Sequence, residues 1–321
     1  MENCLVEEQL KAIKISNRVL SEVKKAISGK DEIITDILIS ILSRGHILIE
    51  DNPGVGKTTL ALAFSKALNL KYKRIQFTPD VLPGDITGFS LYNRNTGEFE
   101  YKEGTVMCNL TLADEINRAS SRTQSALLEA MEEGKVTVDG VTHEIPKPFL
   151  VIATQNPIGS IGTQMLPESQ LDRFFMRLSV GYPSAESEIE LLRARQTHNP
   201  LDDIKSVAGR EDILDAQKVV DEIYISDEIL HYITNLANAT RNSSYIKLGL
   251  SPRGTLALCG ASKAVALLRC RDYVLPDDVG YVFKNVVLHR IIISPAAKVD
   301  GLTPEKVLDD IISEVKKPRA V

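Results

Sequence analysis

The chain has 321 residues, 43% hydrophobic and 25% charged, with 38 Lys and Arg against 43 Asp and Glu for a net charge of -5. That length holds two ordinary domains with a substantial core, and the acidic balance weighs against a dedicated nucleic-acid binder, although a local basic pore would be hidden in the total. The cysteines (Cys4, Cys108, Cys259, Cys270) form no C-x-x-C pair, the N-terminus lacks a basic leader, and no apolar stretch approaches the roughly 18 residues of a membrane span; the expectation is a cytoplasmic protein with reduced thiols, no zinc site and no membrane span.

Residues 1–45 read as helices. Ile33, Ile34, Ile37, Leu38, Ile41 and Leu42 recur as adjacent pairs four apart, the pattern of a broadly buried helix, after a break at 27–30. From Gly45 to about Pro183, short apolar runs at 46–50, 74–77, 110–113, 149–154 and 177–180 alternate with helical stretches such as 58–68 and 121–133. That alternation predicts a parallel sheet covered by helices. Two hairpins interrupt it: 135–145 around Asp139-Gly140, a favoured two-residue turn, and 89–101 around a looser loop. After Pro183 the pattern becomes amphipathic helices whose starts carry Ser184, Ser226, Ser251-Pro252, Pro276-Asp-Asp and Thr303-Pro304. A domain boundary is expected near residue 184.

The strongest chemical signal is Asn52-Pro53-Gly54-Val55-Gly56-Lys57-Thr58-Thr59 after an apolar strand. Glycines there let backbone N–H groups curl around phosphate oxygens at a helix start, Lys57 reaches the β- and γ-phosphates, and the Thr58 hydroxyl ligates Mg²⁺. The strict pattern has Gly where this chain has Asp51. A second strand ends in Asp114-Glu115, suited to a metal-bound water shell and a general base. A third, 151–155, leads into Asn156, which at the end of a parallel strand can bond the attacking water or the γ-phosphate, and which with Pro157 reads equally as the start of a turn.

The segments 50–59 (EDNPGVGKTT), 112–119 (LADEINRA), 151–157 (VIATQNP), 166–175 (LPESQLDRFF) and 251–254 (SPRG) together resemble the MoxR family of AAA+ ATPases, in order and in approximate spacing. The resemblance implies an α/β fold: an AAA+ αβα parallel-sheet domain over 1–183, with hairpin inserts near 89–101 and 135–145, followed by an all-helical lid over 184–321. It implies ATP and Mg²⁺ as cofactors, with Thr58 and Asp114 on the metal and Glu115 and Asn156 in catalysis. Arg173 matches the arginine finger that reaches a neighbouring subunit's γ-phosphate, and Arg253 the sensor-2 arginine, serving the same or an adjacent subunit. By chemistry alone Arg173 reads equally as a cation at a helix C-terminus. Residues 27–31 match the stretch near the adenine.

The family further implies a ring, six subunits in the usual case, that hydrolyses ATP to act on a protein client, often with a von Willebrand factor A-domain partner. A nucleic-acid translocase, a magnesium-chelatase-type motor subunit and a non-hydrolysing nucleotide switch are the alternatives. The hairpin region mixes Arg94, Lys102, Lys135 and Lys147 with Glu98, Glu100, Glu103, Asp139 and Glu144, which argues against nucleic acid.

Overall fold

Charge placement starts the first helix: Glu7 and Glu8 occupy its first turn and Lys24 its last, matching the helix dipole. A computed structural model of the chain describes residues 6–52, 54–156, 165–196 and 198–318. Helix α1 (Glu7–Lys24) buries Ala12, Ile13, Val19 and Val23, and α2 (Asp31–Leu42) is buried on nearly every side, as its paired isoleucines and leucines require. Then come β1 (Ile47–Glu50), α3 (Lys57–Ala67), β2 (Tyr72–Gln76) and α4 (Pro83–Thr87). A hairpin of β3 (Gly88–Asn93) and β4 (Glu98–Glu103) follows, then β5 (Leu110–Asp114), α5 (Ser121–Glu133) and a second hairpin of β6 (Lys135–Val138) and β7 (Val141–Glu144). Strand β8 (Leu150–Gln155), the short α6 (Glu168–Leu171) and β9 (Met176–Leu178) complete this part.

Five strands form one parallel sheet in the order β2-β5-β8-β1-β9. Strand alternation divides its side chains between two layers. Ile47, Ile49, Leu110, Leu112, Leu150 and Ile152 pack with α1, α2 and α3. Leu48, Ala113, Val151 and Ala153 pack instead with Leu127, Leu128 and Met131 of α5. The outer strand β9 stops at Leu178 rather than running to Val180, because the backbone of 180–182 is bonded to side chains instead of to a ladder. The first hairpin runs two residues beyond the expected 101, pairing Gly88 with Glu103. In the second, Asp139 and Gly140 take φ of 49° and 80°, the turn that Asp-Gly favours. The two hairpins meet where Tyr101 stacks on His143 at 3.8 Å between ring centroids.

The remainder comprises α7 (Ala185–Arg195), α8 (Arg210–Glu222), α9 (Asp227–Asn242), β10 (Ile246–Leu248), α10 (Pro252–Leu268), α11 (Pro276–Val287), β11 (Ile292–Ile293), α12 (Pro295–Val299) and α13 (Pro304–Glu314). The expected caps are present: Ser184, Ser226, Ser251 and Thr303 accept the amides of Ser187, Ile229, Gly254 and Lys306, and Asp278 accepts that of Leu275. A small antiparallel ribbon, β10 with β11, and a single parallel bridge between Tyr224 and Tyr273 depart from an all-helical part. One apolar core runs from α1 and α2 through the sheet face to α8–α11 and α13, so it crosses residue 184 without a break. Among the described residues no helix is long and apolar enough to cross a membrane.

The buried ring of His46 fixes the start of β1. Its Nδ1 accepts the Val151 amide at 3.0 Å, which leaves Nε2 to donate to the Met131 carbonyl at 3.0 Å. Burial pushes its pKa down to about 4. The unfolded chain, with an ordinary value near 6.5, therefore binds more protons, so this contribution is intact above about pH 6.5 and is lost as pH falls towards 4, on the order of 3 kcal/mol. Buried Asp36, raised to about 6, acts in the opposite sense, favouring the folded chain as pH falls from about 6 to 4. In His46→Gln only the histidine component is removed. The stability gap between wild type and this variant, measured by urea unfolding, shrinks by on the order of 2–3 kcal/mol from pH 7 to pH 4.

Candidate nucleotide site

Strand β1 delivers its C-terminal end to the loop 51–56, and α3 starts immediately after it. Gly54 and Gly56 hold φ of +87° and +96°, which side-chain-bearing residues rarely adopt, and a Cβ at either would meet nothing within 4 Å. The glycines thus shape an open concavity of backbone. Gly56 is the N-cap of α3 and supplies no side-chain bond, so the first amides of this helix face that concavity without a capping oxygen. An anion at a helix N-terminus is the natural complement. Pro53, assigned to the same cradle from sequence, lies outside the described residues, as does Pro157.

Lys57 donates to the Asp51 carbonyl at 2.7 Å. Burial lowers its pKa, while the nearby charges of Asp51, Asp114 and Glu115 oppose that shift and favour the ammonium. Next to the glycines lies a cavity of about 210 Å³, whose apolar wall includes Ile27, Val55, Leu60 and Pro183, with Lys30 and Thr59 also on its lining. The segment expected beside a base is therefore beside the cradle. Thr58 is half-buried in the first turn of α3, and Asn52 donates from Nδ2 to the Tyr182 hydroxyl at 3.3 Å.

Two strands over, β5 ends at Asp114. Thr154 on β8 donates to Asp114 Oδ1 at 2.6 Å and accepts the Glu115 amide at 2.9 Å. Arg74 on β2 donates to Asp114 Oδ2 at 2.7 Å. Glu115 takes φ of 56°, a left-handed conformation uncommon outside glycine. Its Oε2 accepts from Gln76 at 2.9 Å and Arg118 at 2.8 Å. Arg74 and Gln76 are two apart on one strand and so share a face; that spacing is the signal that could have marked them as partners of the acids on the adjacent strand. Asn156 follows β8 at the same edge, half-buried, and its carbonyl accepts from Asn117 at 3.4 Å.

Asp51, the departure from the strict glycine pattern, has a definite task. Its carboxylate accepts from the amides of Val180 and Gly181 and from the Ser179 hydroxyl. Lys30 binds the same segment from its carbonyl side, donating to Val180 at 2.6 Å, Gly181 at 3.2 Å and Tyr182 at 2.7 Å. The chain leaving β9 is thereby clamped between the glycine loop and the start of α2. Sequence reading placed Lys30 in the stretch near the adenine but missed this clamp, because its partners are carbonyls, which carry no residue signature.

Arg173 and Arg253 come together elsewhere. Both pair with Glu132 near the end of α5, Arg173 at 3.2 Å through Oε2 and Arg253 through Oε1. Helix α5 starts just past the C-terminal end of β5 and runs back about 15 Å, at 1.5 Å per residue, to Met131. There its carbonyl meets His46, immediately before β1. The His46 carbonyl accepts the Phe175 amide at 2.7 Å, two residues from Arg173. The arginine pair thus lies by the N-terminal edge of the sheet, opposite the edge that carries the glycine loop, Asp114, Glu115 and Asn156.

Residues 46–176 match the ATPase family associated with various cellular activities (AAA), and residues 238–311 match the AAA lid domain. The uncharacterized protein YeaC of Bacillus subtilis is 46% identical over 301 residues, 94% of each chain. Chaperone MoxR1 of Mycobacterium tuberculosis is 39% identical over 311 residues, covering 94% of this chain and 82% of that one. A crystal structure of a candidate ATPase from Cytophaga hutchinsonii superposes with a TM-score of 0.91 at 37% identity, covering 98% of each chain.

Removing the Asp51 carboxylate frees the amides it holds. Hydrogen bonds to a charged acceptor contribute about 1.5–3 kcal/mol, so in Asp51→Ala amide exchange at Val180 and Gly181 accelerates by roughly 10- to 100-fold. Residue-resolved hydrogen exchange checks this, with amides of β5 as the unchanged internal reference.

Proposed function

This chain belongs to the MoxR family of AAA+ ATPases, and from that premise we propose that it binds ATP with Mg²⁺ and hydrolyses it to ADP and phosphate in a ring of identical subunits. The observation that carries the proposal is the open glycine concavity at the start of α3, with Lys57 in the field of Asp51, Asp114 and Glu115. A polyphosphate fits that cradle: uncapped amides and Lys57 meet its charge, and the apolar side of the adjoining cavity suits a base. Thr58 and Asp114 would hold the metal, which supplies charge neutralisation on the phosphates.

In this reading Glu115 is the general base, and its bonds from Gln76 and Arg118 hold the carboxylate in place. Asn156 positions water from the end of β8. The placement of Arg173 and Arg253 at the far edge of the sheet supports a role for both towards the nucleotide of an adjacent subunit. The finer assignments are a hexamer, a cytoplasmic location, a protein client and a von Willebrand factor A-domain partner; the chaperone name of the Mycobacterium relative supports the client class. The division into 1–183 and 184–321 belongs to the same proposal, supported by the last sheet strand ending at Leu178. Against a nucleic-acid translocase, Lys102 and Lys135 each have an acid within 4 Å, Glu100 and Glu133.

Glu115→Gln keeps the shape and loses the base, so calorimetry shows ATP binding retained while turnover falls by about 10²-fold or more. Wild-type turnover in this variant removes Glu115 from the mechanism.

Assembly dependence is read by mixing. Specific activity of the wild type rises with protein concentration. Arg173→Ala and Lys57→Ala, each inactive alone, recover part of the activity together, because some junctions then join an intact Lys57 to an intact Arg173. Near-normal turnover in Arg173→Ala, or no recovery on mixing, rejects the neighbour-directed role.

A further inference from the structure

The last turn of α5 carries charge of the wrong sign. Glu129, Glu132 and Glu133 crowd a helix C-terminus that has no basic residue in its final turn, a placement the helix dipole disfavours. What offsets it is two guanidinium groups from separate parts of the chain. Arg173 arrives from the turn after α6 and Arg253 from the first turn of α10, and they take one carboxylate oxygen of Glu132 each. All three side chains are between one-third and one-half exposed, so the cluster is open to exchange with another anion. Beside it lies a cavity of about 290 Å³ lined by Glu129, Glu132, Gln170 and Arg173, and the buried Gln170 side-chain oxygen has no hydrogen-bond partner among the described residues.

Two arginines that converge on one carboxylate also converge on one phosphate. We propose that Glu132 is a positioning residue that stands in, within the single subunit, for the terminal phosphate of the neighbour's nucleotide. It keeps Arg173 and Arg253 aimed at a common anion and gives them up when that phosphate arrives. The exchange is favourable because a terminal phosphate carries more charge than a carboxylate and offers more acceptor oxygens to the planar guanidinium donors. Glu132 therefore competes with assembly: the carboxylate must be released before the pair can engage the next subunit. This inference rests on the reading that both arginines act across the subunit junction.

The competition fixes the sign of the test. Glu132→Gln keeps the shape and removes the charge, and Glu132→Ala removes the side chain beyond Cβ. An exposed ion pair contributes little, so in both variants the protein concentration that gives half-maximal ATPase activity falls by about two- to fivefold. The rate at saturating protein does not fall. Glu129→Gln, in the same cavity but outside the ion pairs, leaves the half-activating concentration where it was. Melting curves establish that each variant is folded. If Glu132 only props up α5 and α10, its loss loosens the assembling surface, and the half-activating concentration rises. A rise, or no change, in a folded Glu132 variant overturns the inference. Mixing Arg173→Ala with Lys57→Ala separates the two levels. Recovery on mixing with no fall in the Glu132 variants rejects the stand-in alone, and no recovery rejects the cross-subunit reading on which it depends.

Discussion

Arg290 lies 4% exposed between the turn 172–175 and the start of α10. It donates from Nε to the Asp172 carboxylate at 2.9 Å and from its two Nη atoms to the carbonyls of Asp172, Phe174, Phe175 and Val286. Burial lowers its pKa to about 10 against the opposing pull of Asp172, so the guanidinium stays charged at neutral pH. Withdrawing one side of such a buried pair costs about 3–5 kcal/mol, because the other charge is left uncompensated. The SPRG segment is arranged around this group. Ser251 caps α10 and also bonds Asp172, Pro252 opens the helix, and Gly254 leaves room where a Cβ would stand 2.7 Å from Arg290 Cδ. Arg173 and Arg253 therefore stand on one tied unit, and their separation is set by a residue that touches neither of their proposed targets.

The second tie lies at the other end of β9. Arg290 grips the chain just before Met176, while Asp51 and Lys30 grip it just after Leu178. A strand of three residues thus spans from the arginine edge of the sheet to the nucleotide edge, fixed at each end by charged side chains holding backbone. Lys57 rests on the carbonyl of the same Asp51 whose carboxylate holds 180 and 181. The glycine loop and the exit from β9 consequently share one residue. A phosphate that draws Lys57 away from that carbonyl acts on a residue already bonded to the far strand.

Local signals were readable from residues: the glycine loop before α3, the acids ending β5, the Asp-Gly turn and the serine and threonine caps. Each depends on neighbours within a few positions, and each stands where the sequence puts it. The ties were not readable, because their partners lie far along the chain and are often backbone. Lys30 meets Val180, and Arg290 meets Asp172. The same cause explains the misjudged end of β9. The run 177–180 looks like strand by composition, yet the amides of Val180 and Gly181 are spent on Asp51. Glu132 was passed over because a glutamate near a helix end has no meaning until the two arginines arrive.

Backbone-directed clamping has a consequence for how this chain can change over time. Lys30 reads carbonyls, Asp51 reads chiefly amides, and Arg290 reads carbonyls besides the one carboxylate of Asp172, so apart from Asp172 these groups largely ignore which side chains stand on the segments they hold. Ser179 and Tyr182 can drift among many residue types while the clamp persists, whereas Val180 is held apolar by its place in the core. Gly181, at φ +62°, is the position that cannot follow freely. The gripping residues have no such latitude. A lysine at 290 could not reach four carbonyls and a carboxylate with three donors on one point charge. Variation should therefore be tolerated on the gripped segments and refused at the grips, the reverse of what proximity to the nucleotide alone would suggest.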